Sequence, residues 1–204
     1  MLGLLVSALA GCSDPSDKVT KSAASAPKAA DAADAAAAAA AGGSASGSGR
    51  TYKIGGGSKI GFIGSKVTGS HHGGFTNVTG TLSVAEGKIT GNPEIVIDMS
   101  STWADNPKLT GHLISPDFFN VAAFPTSKFV MTSVEAGKVT GNLTLHGVTK
   151  SIAFPATLQV GDDAVTMKAE FAINRKDFNI TYPGKPDDLI RDNVVIKFDI
   201  KAMP

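Results

Sequence analysis

The chain of 204 residues has a single cysteine, Cys12, so no disulfide can form within it. It also lacks a long apolar run: the stretch from Leu2 to Ala10 is far shorter than the roughly 20 residues that a membrane-spanning helix needs. The chain has almost no excess of one charge over the other, because 19 basic and 18 acidic residues leave a formal net charge of +1. The lysines are scattered along the sequence. Nucleic-acid binding needs a clustered basic face, so this composition argues against a nucleic-acid partner.

The N-terminal part of the chain divides into an apolar stretch and a segment without fold signal. Residues 1–11 are mostly apolar and end in small residues, and the chain becomes polar after Cys12, as is typical at the end of a secretion signal. Leu9-Ala10-Gly11-Cys12 also resembles the lipobox of bacterial lipoproteins, whose cysteine is lipidated after cleavage; a plain signal peptide that contains a cysteine is the alternative. Residues 12–49 are rich in Ala, Gly and Ser, with Val19 as their only large apolar residue. They are predicted to form a disordered tether.

From Thr51 onward, short alternating apolar runs are separated by Gly, Asn, Asp and Pro. Val194, Ile196, Phe198 and Ile200 fall on one face of a strand, and residues 95–99, 143–145 and 165–173 alternate in the same way. This period of two predicts half-buried antiparallel strands. Turn signals between the strands stand at Glu86-Gly87, Ala136-Gly137, His146-Gly147 and Gly161-Asp162-Asp163.

One interruption of the strand pattern is helical. Asn106-Pro107 opens a short polar and apolar stretch to Leu113, and Ser115-Pro116-Asp117 looks like a second helix cap with proline at the first helical position. Glycines inside strands often mark bends or bulges that curl a sheet. The sequence therefore predicts an all-β fold: an antiparallel barrel of about eight strands with a short helical crossover, preceded by the tether. Such a barrel holds either packed side chains or one small ligand.

The histidines are weak candidates for chemistry. His146 is expected at a hairpin bend, because Gly147 follows it and no Gly-x-Ser-x-Gly motif supplies a nucleophile. His71 and His72 could bind a metal together with His112 or His146, but adjacent strand residues point to opposite faces and no acidic cluster accompanies them. The sequence therefore predicts neither a catalytic residue nor a metal site.

Four motifs along the folded part resemble the YceI-like family. They are residues 65–71 (SKVTGSH), residues 111–121 (GHLISPDFFNV) followed by Phe124-Pro125-Thr126 and Phe129, residues 141–150 (GNLTLHGVTK), and Arg175 with Asp177-Phe178. The resemblance covers residues 51–203. It implies a lipocalin-like barrel that holds a polyprenyl lipid or an isoprenoid quinone and performs no reaction on it, with that lipid in place of a cofactor.

On this resemblance we expect an apolar lining for a hydrocarbon tail. The residues expected to contact the lipid are Ile60, Phe62, Leu82, Ile97, Leu113, Phe118, Phe119, Phe129, Leu143, Phe171 and Ile173. Phe118 and Phe119 would plug one end of the barrel and touch the ligand, or would simply pack under the crossover. His112 and Arg175 are the head-group candidates. His112 could instead form a hydrogen bond within the crossover, and Arg175 could instead pair with Asp177 or Asp192.

The expected location is the bacterial cell envelope. The protein would be anchored to a membrane through lipidated Cys12 and would face the periplasm or the exterior. Ser13 after the cysteine resembles lipoproteins that are sorted to the outer membrane. Two other functions stay open at this point: a structural or adhesive envelope barrel with a filled core, and an enzyme that acts on an isoprenoid lipid. A filled interior would favour the first of these, and an acid–base pair inside a cavity would favour the second.

Overall fold

The structure, a computed structural model, describes residues 14–29 and 49–204. The predicted signal sequence, Cys12 and residues 30–48 of the predicted tether lie outside the described residues. The strands are β1 (Thr20–Lys21), β2 (Arg50–Ile54), β3 (Lys59–Lys66), β4 (Gly69–Phe75), β5 (Val78–Ala85), β6 (Lys88–Asp98), β7 (Thr102–Ala104), β8 (Thr126–Glu135), β9 (Lys138–Leu145), β10 (Val148–Pro155), β11 (Thr157–Val160), β12 (Val165–Asn174), β13 (Gly184–Lys185), β14 (Asp188–Leu189) and β15 (Asn193–Met203). The helices are α1 (Pro107–Ile114) and the short 3-10 helices Pro15–Lys18, Met99–Ser101 and Arg175–Phe178. Within this part of the chain no helix is long and apolar enough to cross a membrane.

Thirteen of the fifteen described strands form one curved, mainly antiparallel sheet. Its hydrogen-bonded path runs β10-β9-β8-β6-β5-β2-β15-β3-β4-β7. The last strand, β15, is central, because β12 pairs along one of its edges while β3 and β2 share the other. β13 and β14 form a separate small ladder. The all-β antiparallel fold with one short helix is thus confirmed.

The predicted count of eight strands is wrong, because the described residues contain fifteen. Several predicted strands are split. A 3-10 turn at Met99–Ser101 separates β6 from β7, and Ala156 separates β10 from β11. Short pairs such as β13 and β14 give no alternating signal, since two residues cannot show a period.

The predicted hairpin turns are confirmed. Leu145 pairs with Val148, and His146 and Gly147 between them have φ angles of 50° and 73°. Two central residues with positive φ define the tight turn whose twist matches antiparallel strands. Glu86-Gly87 and Ala136-Gly137 adopt the same conformation between β5 and β6 and between β8 and β9. His146 is therefore a turn residue, as the sequence predicts.

Side-chain hydrogen bonds cap helix α1 at both ends. The Asn106 side chain accepts hydrogen bonds from the backbone N–H groups of Lys108 and Leu109, and Pro107 occupies the first turn. At the other end the Ser115 hydroxyl donates to the His112 carbonyl at 2.7 Å. The predicted second cap is wrong: residues 115–119 form turns and not a helix, since the backbone N–H groups of Phe118 and Asn120 both donate back to the Ser115 carbonyl.

The half of the barrel away from α1 is filled with side chains. Tyr52 is almost wholly buried, and its hydroxyl donates to the carbonyl of Gly161 at 3.1 Å. Further buried residues of this half are Ile54, Leu82, Met131, Val139, Val165, Met167, Ile200 and Ala202. Burying each large apolar side chain contributes about 1.5–3 kcal/mol, so this half is a packed core that fixes the shape of the other half.

Residues 14–29, which we call the N-terminal strap, lie against the barrel, so the prediction of a disordered tether is wrong for this segment. β1 pairs in parallel with β12 through Thr20 opposite Phe171, and Ser25 bridges to Ser151 of β10. The Ser22 hydroxyl donates to the Ala153 carbonyl and accepts from the Ala153 N–H. The strap binds through backbone groups and serines rather than large apolar side chains, which explains why the composition gives no sign of it.

The strap fills a gap in the barrel wall. Within residues 14–29 and 49–204, no ladder joins β10 directly to β12; β11 pairs with the first half of β12, and the strap occupies the remaining space. The 3-10 helix Pro15–Lys18 crosses the outer face of β15, where Val195 is 1% exposed. The described wall is thus completed by a segment from the opposite end of the chain.

Candidate ligand-binding cavity

The half of the barrel that carries α1, which we call the helix end, encloses an apolar cavity. The volume of this cavity that a water molecule could occupy is about 130 Å³. A cavity needs about 10–15 Å³ on this measure to hold one water molecule, so the space is far larger than a packing defect. A core filled at every inward position would leave no such space.

Ten of the eleven residues predicted to contact a lipid line this cavity. They are Ile60, Phe62, Ile97, Leu113, Phe118, Phe119, Phe129, Leu143, Phe171 and Ile173. The exception is Leu82: it was expected in the lining, and it does not line the cavity. Leu82 lies opposite Tyr52 in the ladder of β2 and β5, within the filled half of the barrel. It faces inward as expected, but at a level where side chains occupy the interior.

Sequence reasoning missed about half of the wall. The additional lining residues are Gly64, Phe75, Ile95, Met99, Ser127, Leu145, Ile152, Ile180, Ile190, Val194, Ile196 and Phe198. Most lie on strands whose alternation was visible, so extending each inward face along its strand would have found them. Ile180 and Ile190 lie outside any long strand, and no periodic signal marks them.

Aromatic rings close the deep end of the cavity. Phe129, Phe171 and Phe198 line it, and all three contact Phe154 beneath, with ring centroids 5.5, 4.0 and 5.7 Å from that of Phe154. Edge-to-face and stacked pairs of this kind add to the energy of burial. The cavity therefore ends in a rigid aromatic floor at the boundary with the filled half.

Phe118 and Phe119 belong both to the cavity wall and to the packed core beneath the crossover. Phe118 is 7% exposed and packs against Tyr182, while Phe119 is half-buried and contacts Phe62 and Phe75. Both rings line the cavity from the segment that follows α1. They close one side of the helix end and also form part of its apolar core.

Among the residues that the structure describes, Arg175 is the one charged side chain in the cavity wall. Its Nε, Nη1 and Nη2 atoms donate to the carbonyls of Arg191, Ile180 and Ile190 at 3.1, 2.7 and 3.3 Å. Nη2 also lies 3.6 Å from the Asp192 carboxylate, the predicted ion pair, whereas the alternative with Asp177 is not observed. Burial lowers the pKa of the guanidinium, and Asp192 opposes this effect. Arginine remains charged in proteins, so Arg175 ties residues 180–191 to β12 as a cation.

The other head-group candidate, His112, is not part of the cavity wall. Its Nε2 lies 2.9 Å from the Asp117 carboxylate, and its ring packs on Phe118 and Tyr182 with centroids 4.9 Å apart. It therefore braces α1 against the turn that carries Phe118, which does line the cavity.

The remaining histidines have structural partners. His71 Nδ1 lies 2.8 Å from the Asp105 carboxylate, which also accepts a hydrogen bond from the backbone N–H of His72. Both contacts lower the pKa of Asp105, and the hydrogen bond from the His72 N–H has the larger effect. His146 Nδ1 lies 3.2 Å from the Phe178 carbonyl. Among residues 14–29 and 49–204, no group of three or more His, Cys, Asp or Glu side chains is placed to hold a metal ion.

A curved antiparallel barrel with an apolar internal cavity is the architecture of lipocalin-like proteins. The sequence profile of the YceI-like domain matches residues 53–202, and the chain belongs to this family. It is 33% identical over 152 residues to a UPF0312 protein of Pseudomonas putida strain W619, covering 65% of this chain and 78% of that protein. It is 37% identical over 128 residues to protein YceI of Salmonella arizonae, covering 54% and 67% of the two chains.

Two solved structures share the fold. BcnA of Burkholderia cenocepacia superposes with a TM-score of 0.63 at 24% identity, over 72% of this chain and 96% of that one. A polyisoprenoid binding domain from Saccharophagus degradans, implicated in plant cell wall breakdown, gives a TM-score of 0.63 at 18% identity, over 74% and 97% of the two chains. At these identities the likeness shows the fold alone.

Proposed function

We propose that this protein binds a long-chain isoprenoid lipid, a polyprenyl lipid or an isoprenoid quinone, and carries or sequesters it without reacting with it. The observation that carries the proposal is the large cavity, whose wall is apolar except at Ser127 and Arg175. Membership of the YceI-like family and the polyisoprenoid binding domain among its structural neighbours support the same ligand class.

The driving force is removal of the hydrocarbon tail from water. Each Å² of apolar surface buried contributes about 25 cal/mol, and the cavity wall offers no polar partner along most of its depth. The tail would end against the floor of Phe129, Phe171 and Phe198. The head group would then lie away from this floor, on the side of the cavity where the Arg175 side chain forms part of the wall. Its N–H groups already bind three carbonyls, so Arg175 would attract an anionic head group through its charge.

An isoprenoid-modifying enzyme is the weaker candidate. General acid–base chemistry needs a proton-transfer group within hydrogen-bond reach of the ligand. The two polar side chains of the wall are already engaged, because the Ser127 hydroxyl donates to the Thr144 carbonyl at 2.8 Å and Arg175 donates to three carbonyls. A structural barrel with a filled core is disfavoured by the cavity itself.

We further propose that the protein works in the bacterial cell envelope, held to a membrane through a lipidated Cys12 and facing the periplasm or the exterior. The lipobox-like residues Leu9-Ala10-Gly11-Cys12 support this proposal. In a cell with two membranes, Ser13 favours the outer one. Mass spectrometry of the mature N-terminus from a bacterial host tests it: acyl groups on Cys12 are expected, and an unmodified N-terminus upstream of Cys12 would refute it.

The ligand is tested by native mass spectrometry and solvent extraction of the chain from residue 12 onward, purified from a bacterial host. We expect a co-purifying apolar species of isoprenoid mass. An apo mass that stays unchanged after incubation with polyprenyl lipids and quinones would overturn the proposal and favour the structural barrel.

A matched pair of variants locates the site. Ile196 is half-buried and lines the cavity, whereas the next residue, Lys197, is exposed on the outside. Ile196→Trp should fill the cavity and reduce the bound lipid, while Lys197→Trp should leave it unchanged. Equal loss in both variants would place the lipid elsewhere.

A further inference from the structure

The exposed large apolar side chains of the barrel are concentrated at one end. Val67, Leu189, Trp103 and Ile114 are 55%, 50%, 45% and 41% exposed. Each lies beside residues that line the cavity. The Val67 N–H donates to the carbonyl of Leu189, which precedes the lining residue Ile190, and Ile114 follows the lining residue Leu113. Trp103 lies on β7, which packs against α1 and pairs with β4 next to the lining residue Phe75. The other two exposed large apolar residues of the described chain, Val134 and Met203, lie near the opposite strand ends.

The charged groups at the helix end largely neutralise each other. Lys66 pairs with Asp188, and Lys176 Nζ lies 2.9 Å from the Asp192 carboxylate. His71 and His72 share Asp105 in the same manner. Lys108 of α1 and Lys185 and Asp187 of the β13–β14 hairpin are also exposed, so the apolar side chains emerge from a surface of mixed rather than strongly basic charge. Such a surface suits the interface of an uncharged bilayer, where tryptophan is also enriched, better than an anionic partner.

The start of the described chain lies at this same end. Asp14 Oδ2 is 3.7 Å from Arg191 Nη1, and the Arg191 N–H donates to the Ser65 carbonyl at the end of β3. Cys12 precedes Asp14 by two residues, a reach of at most about 7 Å. An acyl anchor on Cys12 would therefore hold a bilayer close to Arg191, whose neighbour Ile190 lines the cavity.

We propose that the helix end is a docking surface for the lipid bilayer, with Val67, Trp103, Ile114 and Leu189 inserted at the bilayer interface. This proposal rests on the proposed function, and it specifies how that function operates. The cavity lies directly behind the docked surface, so an isoprenoid passes between bilayer and cavity without crossing water. The N-terminal strap fixes the orientation, because it joins the anchor position to the barrel wall.

The single tryptophan of the chain makes the docking measurable. The chain from residue 12 onward, with Cys12→Ser to remove the anchor, is mixed with phosphatidylcholine vesicles that carry bromine on their acyl chains. Bromine quenches tryptophan only at close range, so we expect quenching of Trp103 fluorescence. The quenching should persist at 0.5 M salt (~4 Å screening length), since no charge attraction is required.

Two double variants test the surface. Val67→Asp with Leu189→Asp should abolish the quenching, because charged side chains oppose insertion at the interface. Val134→Asp with Met203→Asp places the same charges at the opposite end and should leave the quenching intact. Absence of quenching in the parent chain, or equal loss in both double variants, would overturn the proposal.

The two proposals fail separately. Lipid content is measured by extraction before any vesicle is added. A chain that contains isoprenoid but shows no quenching refutes docking and leaves the ligand proposal standing. A chain that is quenched but binds no isoprenoid refutes the ligand proposal and establishes a membrane-bound barrel.

Discussion

The ring of Phe154 stacks on the ring of Phe171, with centroids 4.0 Å apart and planes within 2° of parallel. Phe154 belongs to β10 and Phe171 to β12, the two strands that share no direct ladder in the described chain. Where backbone hydrogen bonds are lacking, this aromatic contact and the N-terminal strap hold the two strands together. The stack also supports the floor of the cavity.

Loss of the stack should destabilise the whole barrel. We expect Phe154→Ala to lower the free energy of unfolding by about 3–5 kcal/mol, since a fully buried aromatic side chain is removed from a packed site. Phe124→Ala is the control, because Phe124 is only half-buried at the helix end beside His146. Urea unfolding measures both, and equal losses in the two variants would contradict a special role for the stack.

The strap should contribute measurably to stability through Ser22. In Ser22→Ala the Ala153 N–H and carbonyl lose their partner in a partly buried seam, which should cost about 1–3 kcal/mol. Ser58 offers a matched control, because its hydroxyl makes the same reciprocal pair with Lys201 at an exposed site where water can replace it. If Ser58→Ala destabilises the chain as much as Ser22→Ala, the strap is not buried as described.

Arg175 should act as the clamp of residues 180–191. Arg175→Lys keeps the charge but cannot reach three carbonyls in one plane, so we expect a loss of at least about 2 kcal/mol in unfolding free energy. Limited proteolysis should cut this segment faster in the variant. Lys176→Gln, which removes only an exposed ion pair with Asp192, should change stability by less than about 1 kcal/mol. Identical cleavage rates in Arg175→Lys and the parent would refute the clamp.

Acid should weaken the contact between β14 and the β3–β4 turn. The hydrogen bond from Lys66, and lesser ones from Thr68, lower the pKa of Asp188. An aspartate with a lowered pKa stabilises the fold above its unfolded pKa of about 3.9, and this contribution disappears as the pH falls through the folded value. Urea midpoints should therefore drop below about pH 4. The drop should be smaller in Asp188→Asn, which is already less stable at neutral pH, while Asp187→Asn should behave like the parent. Equal slopes in Asp188→Asn and the parent would show that another group is responsible.

The parts of the fold that could be predicted are those that depend on residues close together in the sequence. The alternation of residues such as Leu143 and Leu145 predicts which face of the strand points inward, and His146 followed by Gly147 predicts a hairpin turn. The apolar wall is expected from the resemblance to the YceI-like family, and the alternation on the strands is consistent with it. Leu82 shows the limit of this reasoning, because alternation tells which way a side chain points but not whether that level of the barrel is filled.

What could not be predicted depends on contacts between distant segments. Ile190 reaches the cavity because Arg175 binds its carbonyl, and nothing near residue 190 in the sequence indicates this. The position of the strap is likewise not indicated by its sequence. The Lys28 N–H donates to the Asn142 side chain and the Lys28 carbonyl accepts from it, across 114 residues of chain. Backbone donors and acceptors are present in every residue, so a segment that binds through them carries no compositional mark.

The central place of β15 has a consequence for the order of folding. This last strand pairs with β12, β3 and β2, and the strap near the other end of the chain also packs on β12 and β15. The barrel therefore cannot close before β15 has been synthesised, and its seam joins residues more than a hundred positions apart. Such non-local topology folds slowly and leaves strand edges unpaired meanwhile. A truncation of even the final strand should thus leave no stable smaller domain, only an open and aggregation-prone sheet.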